Sequence, residues 1–215
     1  MKTKNILTIF FLGALFISCR AGGKPDNFDY GHIENGKYVN SFFKFEIVLP
    51  DGWTIQSQEQ MDNLTKMGTE IITDNKAVIK ASLINTANLL QATQYELGAP
   101  VDSNSGINIV AENISNTPGI KTGGDFLFHL RKMLQASLLD VEHVDEDFEK
   151  ETIGGVDFYK MKAIVNYAVQ KGQFSNQILY STIFNNFSLC IIITYKDEVQ
   201  QQELLKSINS LNFKK

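Results

Sequence analysis

Two short patterns invite a catalytic reading first. Ser41-Phe42-Phe43-Lys44 has the S-x-x-K spacing, and Lys121-Thr122-Gly123 has the K-T-G order, two marks of penicillin-recognising enzymes. In that chemistry the serine attacks a carbonyl and a lysine one helical turn away takes its proton, so the serine must open a helix. Ser41 instead precedes an apolar alternation that predicts a strand, and Lys121 precedes a predicted helix where the chemistry needs a strand lysine. No S-D-N lies between the two patterns. Both matches are therefore expected to be coincidental.

Other reactive residue types are scattered. His32, His129 and His143 share no H-E-x-x-H spacing, so no zinc site is expected, and His129 is read as a helix-surface or packing residue. No G-x-S-x-G and no phosphate loop occurs, and no cofactor is expected. Cys190 lies in Phe187-Ser188-Leu189-Cys190-Ile191-Ile192-Ile193, which suits a small buried hydrophobe rather than a nucleophile. Trp53, after Pro50-Asp51-Gly52, is expected to plug the core. The acidic run Asp140, Glu142, Asp145, Glu146, Asp147, Glu149, Glu151 lacks the ligand spacing and glycine of a calcium loop. Three readings remain open for it. It is a charged strand edge that discourages edge-to-edge pairing, a docking surface for a basic partner centred on Asp145, Glu146 and Asp147, or a weak cation-binding segment.

The first residues concern location. Lys2 and Lys4 precede the apolar run Ile6 to Ile17, and no acid occurs before Asp26. That run suits the core of a secretory signal and is short of the ~18 residues of a permanent span. Its end, Leu15-Phe16-Ile17-Ser18-Cys19, resembles the lipobox of bacterial lipoproteins, with Phe16 where that family prefers leucine. The resemblance implies cleavage before Cys19 and a diacylglyceryl group on its sulfur. Two acyl chains hold stably where one holds only reversibly. Residues 1–18 are thus expected to be a signal peptide, with the mature protein on the extracytoplasmic face of the cell membrane. Residues 19–35, polar and rich in Gly and Asn, are expected to form a flexible tether. Cleavage removes two of the 20 basic residues and none of the 24 acidic ones, so the net charge moves from −4 to about −6. A chain that acidic has no electrostatic footprint for nucleic acid.

Residues 36–215 are expected to form one domain. In its C-terminal half, strands near 144–153, 156–169, 174–184 and 187–195 are separated by Gly154-Gly155, Lys171-Gly172 and Asn185-Asn186. Three close turns in succession predict an antiparallel meander. Its last strand is apolar on both faces, so both sides of the sheet should be covered. Helices are predicted from Ser57 to a stop at Gly68, from an Asp125 cap through about Leu139, and from an Asp197 cap onward. Further strands are predicted at Phe42–Leu49, Ala77–Asn85, Ile107–Ile114 and, less distinctly, Leu89–Leu97. The pattern is α+β: an antiparallel sheet with a C-terminal meander, covered by helices.

The order of these elements resembles the PsbP-like fold. The residues that carry the likeness are Tyr38-Val39-Asn40 leading into Phe45-Glu46-Ile47-Val48-Leu49-Pro50-Asp51-Gly52-Trp53, then Ile109-Val110-Ala111-Glu112-Asn113 and Pro118-Gly119-Ile120-Lys121-Thr122-Gly123. The last are Ile192-Ile193-Thr194-Tyr195-Lys196-Asp197 and Ser210-Leu211-Asn212-Phe213. Small lipoproteins of low-GC Gram-positive bacteria are similar over nearly this span. The resemblance implies an α/β/α sandwich and supplies no active-site residues, since fold alone does not carry chemistry. A membrane-anchored, non-catalytic module for an envelope partner is the expected function, with an extracytoplasmic hydrolase as the alternative.

Overall fold

The computed structural model describes residues 23–72, 76–101, 103–137, 139–166 and 174–214. The signal segment, Cys19, the Lys171-Gly172 turn and the end of the strand read as 156–169 lie outside them. The chain is α+β, with antiparallel strand pairing throughout.

The large sheet is built around β11 (Phe187–Tyr195). It runs in the order β4 (Thr54–Ile55), β5 (Thr86–Thr93), β6 (Gly106–Asn113), β11, β10 (Phe174–Phe184), β9 (Val156–Asn166) and β7 (Asp140–Val144), with β8 (Glu149–Ile153) also on β9. The predicted meander is present as β8-β9-β10-β11. The single strand read near 144–153 is two strands, both paired to β9 and separated by residues 145–148. Asn185 and Asn186 make the last turn at φ 50° and 63°, the left-handed values a two-residue hairpin needs.

Alternation along β11 divides the interior. Leu189, Ile191 and Ile193 face one core, while Cys190 and Ile192 face another. The second core is closed by α3 (Gly123–Ala136), whose Phe126, Leu127, Leu130 and Leu134 are buried. The first is closed by a small second sheet, ordered β1 (His32–Glu34), β2 (Lys37–Asn40), β3 (Phe45–Val48), β12 (Asn212–Phe213), together with α4 (Glu198–Asn209). Both faces are covered as the apolar β11 demands, one of them largely by strands rather than by helices.

Four local readings are corrected. Ala77–Asn85 belongs to a helix, α2 (Lys76–Asn85), packed on α1 (Gln58–Ile72) and β5. Its β-branched residues suggest a strand, but the neighbouring place in the sheet is taken by Thr86–Thr93, and tertiary packing overrides propensity. Helix α1 runs through Gly68 to Ile72, and Met67 is exposed. Thr122, not Asp125, caps α3: the Asp125 N–H donates to the Thr122 hydroxyl at 3.1 Å and the Asp125 carboxylate accepts the Thr122 N–H at 2.9 Å. This is the reciprocal capping box. Finally, residues 23–35 are not a free tether. Phe28 packs with Phe42, Phe43 and Phe187, and residues 32–34 form β1.

Candidate functional site

β1 and β4 are the outer strands of the two sheets, and they flank one cavity of about 210 Å³. Register explains why its walls are apolar. Ile33 stands opposite Tyr38, and Ile55 opposite Ala92. Tyr38 and Ala92 face the first core and are buried. Ile33 and Ile55 therefore point into the same space, yet 45% and 37% of each remains exposed. Tyr30, 38% exposed, and Met61 of α1 complete the mouth, with Leu90 behind. No strand closes this flank of the sandwich among the described residues.

The wall at Tyr38 is rigid. Its hydroxyl donates to the Tyr30 carbonyl at 2.7 Å and accepts from the Asn40 amide at 3.0 Å. Burial holds the phenol well above its ordinary range. Gly31 passes directly over the ring: a Cβ there would lie 2.4 Å from Tyr38 Cζ and from its hydroxyl oxygen, and its φ is +78°. Only glycine fits both requirements. Asp29 holds the approach to this glycine, accepting from the Gly31 N–H, the Ser41 N–H and the Ser41 hydroxyl. Partial burial pushes the Asp29 carboxyl up, but the bonds from Ser41 and Gly31 outweigh it, so the group titrates below its usual range.

The residues singled out in the sequence fall elsewhere. Ser41 is tied to Asp29 in the turn before β3, and Lys121 precedes α3, where its N–H donates to Asp125. Cys190 is 1% exposed, and burial pushes its thiol up to about 12, far from the thiolate form that reacts. Trp53 is partly buried against the first core. His32, His129 and His143 lie on β1, α3 and β7. Among the described residues no group of three or more His, Cys, Asp and Glu is placed to hold a metal ion.

Within the acidic run the three candidate docking residues differ. Asp145 turns inward, accepting the Lys162 N–H at 2.7 Å and lying 3.1 Å from His143 Nε2. Arg131 lies over the rings of Phe128 and Phe148 and donates to the backbone carbonyls of Asp145 and Glu146. Of the three, Glu146 and Asp147 are exposed and Asp145 is half-buried. Glu149 and Glu151 hold Lys160 at 2.8 and 3.0 Å. Burial would lower that ammonium, but the two carboxylates outweigh it and hold it above its ordinary range. Much of the run's charge is thus spent inside the β7-β8-β9 edge.

The open flank escaped sequence reasoning because its residues come from β1, β4, α1 and β5, and nothing local marks Ile33 or Ile55 as unpartnered. The one available signal was Asn35-Gly36, a hairpin turn in the segment read as tether. Those residues adopt φ 50° and 73°.

No known family and no curated protein matches this sequence. Among solved structures, the chain is similar to a protein from Bacteroides thetaiotaomicron VPI-5482, at 14% identity and a TM-score of 0.41 over 85% of this chain. It spans 50% of that protein's length. It is also similar to a cyanobacterial PsbP (CyanoP) from Synechocystis sp. PCC 6803, at 9% identity and a TM-score of 0.49, over 86% of this chain and 96% of that one.

Proposed function

We propose that this chain is an extracytoplasmic PsbP-like lipoprotein. It is cut before Cys19 and held on the membrane by a lipid on that cysteine, and its domain is a non-catalytic binding or accessory module for an envelope partner. The lipobox-like Leu15-Phe16-Ile17-Ser18-Cys19 after a short apolar run supports the anchor. The open flank is the observation that supports binding. Three large apolar side chains, Tyr30, Ile33 and Ile55, stay exposed around one cavity, and exposed apolar groups clustered at a concave place mark interaction sites. The volume is below the ~300–1,000 Å³ of typical small-molecule pockets. It suits a single large apolar side chain offered by a protein partner.

Two measurements test this reading. Mass spectrometry of the native protein should find its N-terminus at Cys19 with acyl chains, and Cys19→Ala should move it out of the membrane fraction; an unmodified N-terminus at Ala21 or beyond removes the anchor. Crosslinking in cells should capture a partner that Ile33→Glu with Ile55→Glu releases, while thermal unfolding of the variant stays near wild type. Unchanged capture rejects the open flank as the binding surface. Turnover in a broad hydrolase screen, abolished by one substitution, rejects the non-catalytic reading.

A further inference from the structure

From Gly23 onward the chain is bound to the domain. Asn113 at the end of β6 donates its side-chain amide to the Gly23 carbonyl. Lys24 Nζ donates to the Thr86 carbonyl at 2.7 Å and lies 3.4 Å from that of Leu83. The Phe28 N–H closes a turn on the Pro25 carbonyl at 3.0 Å. The Phe28 ring sits 4.7 Å from Phe42 and 5.4 Å from Phe187. Asn40 then holds the Asp29 carbonyl at 2.9 Å. Between Cys19 and Gly23 stand only Arg20, Ala21 and Gly22. Fully extended, that connection reaches about 14 Å.

Gly23 also lies at a defined end of the sandwich. Asn113 pairs with Phe187 beside the Asn185-Asn186 turn, and the Ile114 N–H donates to the Asn186 carbonyl. The turn 41–44 reaches the same end, since Phe42 and Phe43 pack on Phe187. Among the described residues, charges there include exposed Lys44, Lys121 and Lys214 with Asp26, and half-buried Lys24 with half-buried Asp29 and Asp125, so this end is close to balanced. At the opposite end, beyond Thr93 and Tyr95 and before α4, the exposed charges among the described residues include Glu96, Asp140, Asp197 and Glu198 with Lys196. The nine residues of β11 separate the two ends by about 27 Å.

We infer that the end bearing the 41–44, 114–121 and 185–186 turns is a membrane-apposed surface, held against the anionic headgroups of the leaflet that carries the lipid. This rests on the anchor at Cys19 proposed above. The headgroup layer is about 5–8 Å deep on each side, so a leash of about 14 Å lets Gly23 rise no more than about 9 Å above the headgroups. The charge difference between the ends favours the same orientation, since an anionic surface repels the acidic end more than the nearly balanced one. The domain is then not a tethered body sampling a wide volume. It stands on the bilayer, and its open flank faces sideways along the membrane.

The test places a photo-crosslinking amino acid, benzoylphenylalanine, at position 116 or at position 95 of the mature chain. The protein sits on vesicles containing phosphatidylglycerol, and lipid adducts are read by mass. Adducts should form at 116 and be lost at 95. Inserting twenty Gly/Ser residues between Gly22 and Gly23 should abolish the adduct at 116, because such a linker spans about 25 Å on average. Equal yields at both positions, or none at 116, overturn the proposal. A second arm separates its failure from failure of the anchor. Purified mature chain is coupled through Cys19 to a maleimide headgroup, where buried Cys190 does not compete. If cells leave Cys19 unacylated while the coupled chain keeps its bias, the anchor reading fails and the geometry stands. If the coupled chain shows no bias, the geometry fails whatever cells do to Cys19.

Discussion

The two flanks of the first core are closed to different degrees. At one side β12 pairs with β3, and Phe213 packs 5.6 Å from Phe45 and 6.1 Å from Phe158. Gly154 turns tightly under it, where a Cβ would lie 2.5 Å from the Leu211 carbonyl oxygen. At the other side β1 and β4 stand as outer strands with Ile33 and Ile55 half out in solvent. Both flanks carry large apolar residues in the core-facing register. What separates them is whether a further ring fills the gap. Apolar composition alone therefore does not distinguish the closed flank from the open one; the filling ring does.

Substitutions sharpen this contrast. Phe158→Ala, in the closed flank at 0% exposure, should cost about 3–5 kcal/mol, read as a shift in the urea midpoint. Its double with Phe213→Ala should be non-additive, because the rings touch. Gly31→Ala, beside the open flank, comes next: collision with Tyr38 and the positive φ should cost more than about 1 kcal/mol. It should also weaken partner capture, whereas Phe158→Ala should weaken capture only in proportion to unfolding.

Acid should distinguish the flanks as well. The folded carboxyl of Asp29 titrates below its unfolded value. Its contribution is therefore present above the unfolded pKa and is lost as pH falls through the folded one. Asp29→Asn should lower the urea midpoint at pH 7, and the gap to wild type should close as the pH falls below the ordinary aspartate range. A gap that stays constant with pH would assign the effect to packing. Ile33→Ala and Ile55→Ala should each cost below about 1 kcal/mol, since half-exposed side chains lose little on truncation, while capture of the partner drops. A stability loss as large as that of Phe158→Ala would make the open flank ordinary core.

The smallest effect is expected at the acidic run. Glu146→Gln with Asp147→Asn should change stability by no more than about 0.5 kcal/mol. Asp145→Asn should cost more, because that carboxylate accepts the Lys162 N–H. If the run docks a basic partner, the Glu146 and Asp147 change should reduce the salt sensitivity of partner recovery. Unchanged recovery at low and moderate salt assigns the run to the β7-β8-β9 edge alone.

What the sequence determined by itself is what short-range chemistry controls. Asn185-Asn186 accepts positive φ, Asp197 caps α4 by accepting the Gln200 N–H at 2.9 Å, and alternation along Phe187–Tyr195 requires a sheet covered on both faces. These need only neighbours a few residues away. The tertiary structure decided the rest. It made Ala77–Asn85 a helix against α1, bound residues 23–35 onto the domain, and split the strands into two sheets. It also left Ile33 and Ile55 without the ring that Phe213 supplies on the other side. For the bound N-terminal segment and the two flanks the deciding contacts join segments far apart in the chain, such as Phe28 with Phe187 and Phe45 with Phe213. The residue types are the same whether or not those contacts exist, so no local pattern records them.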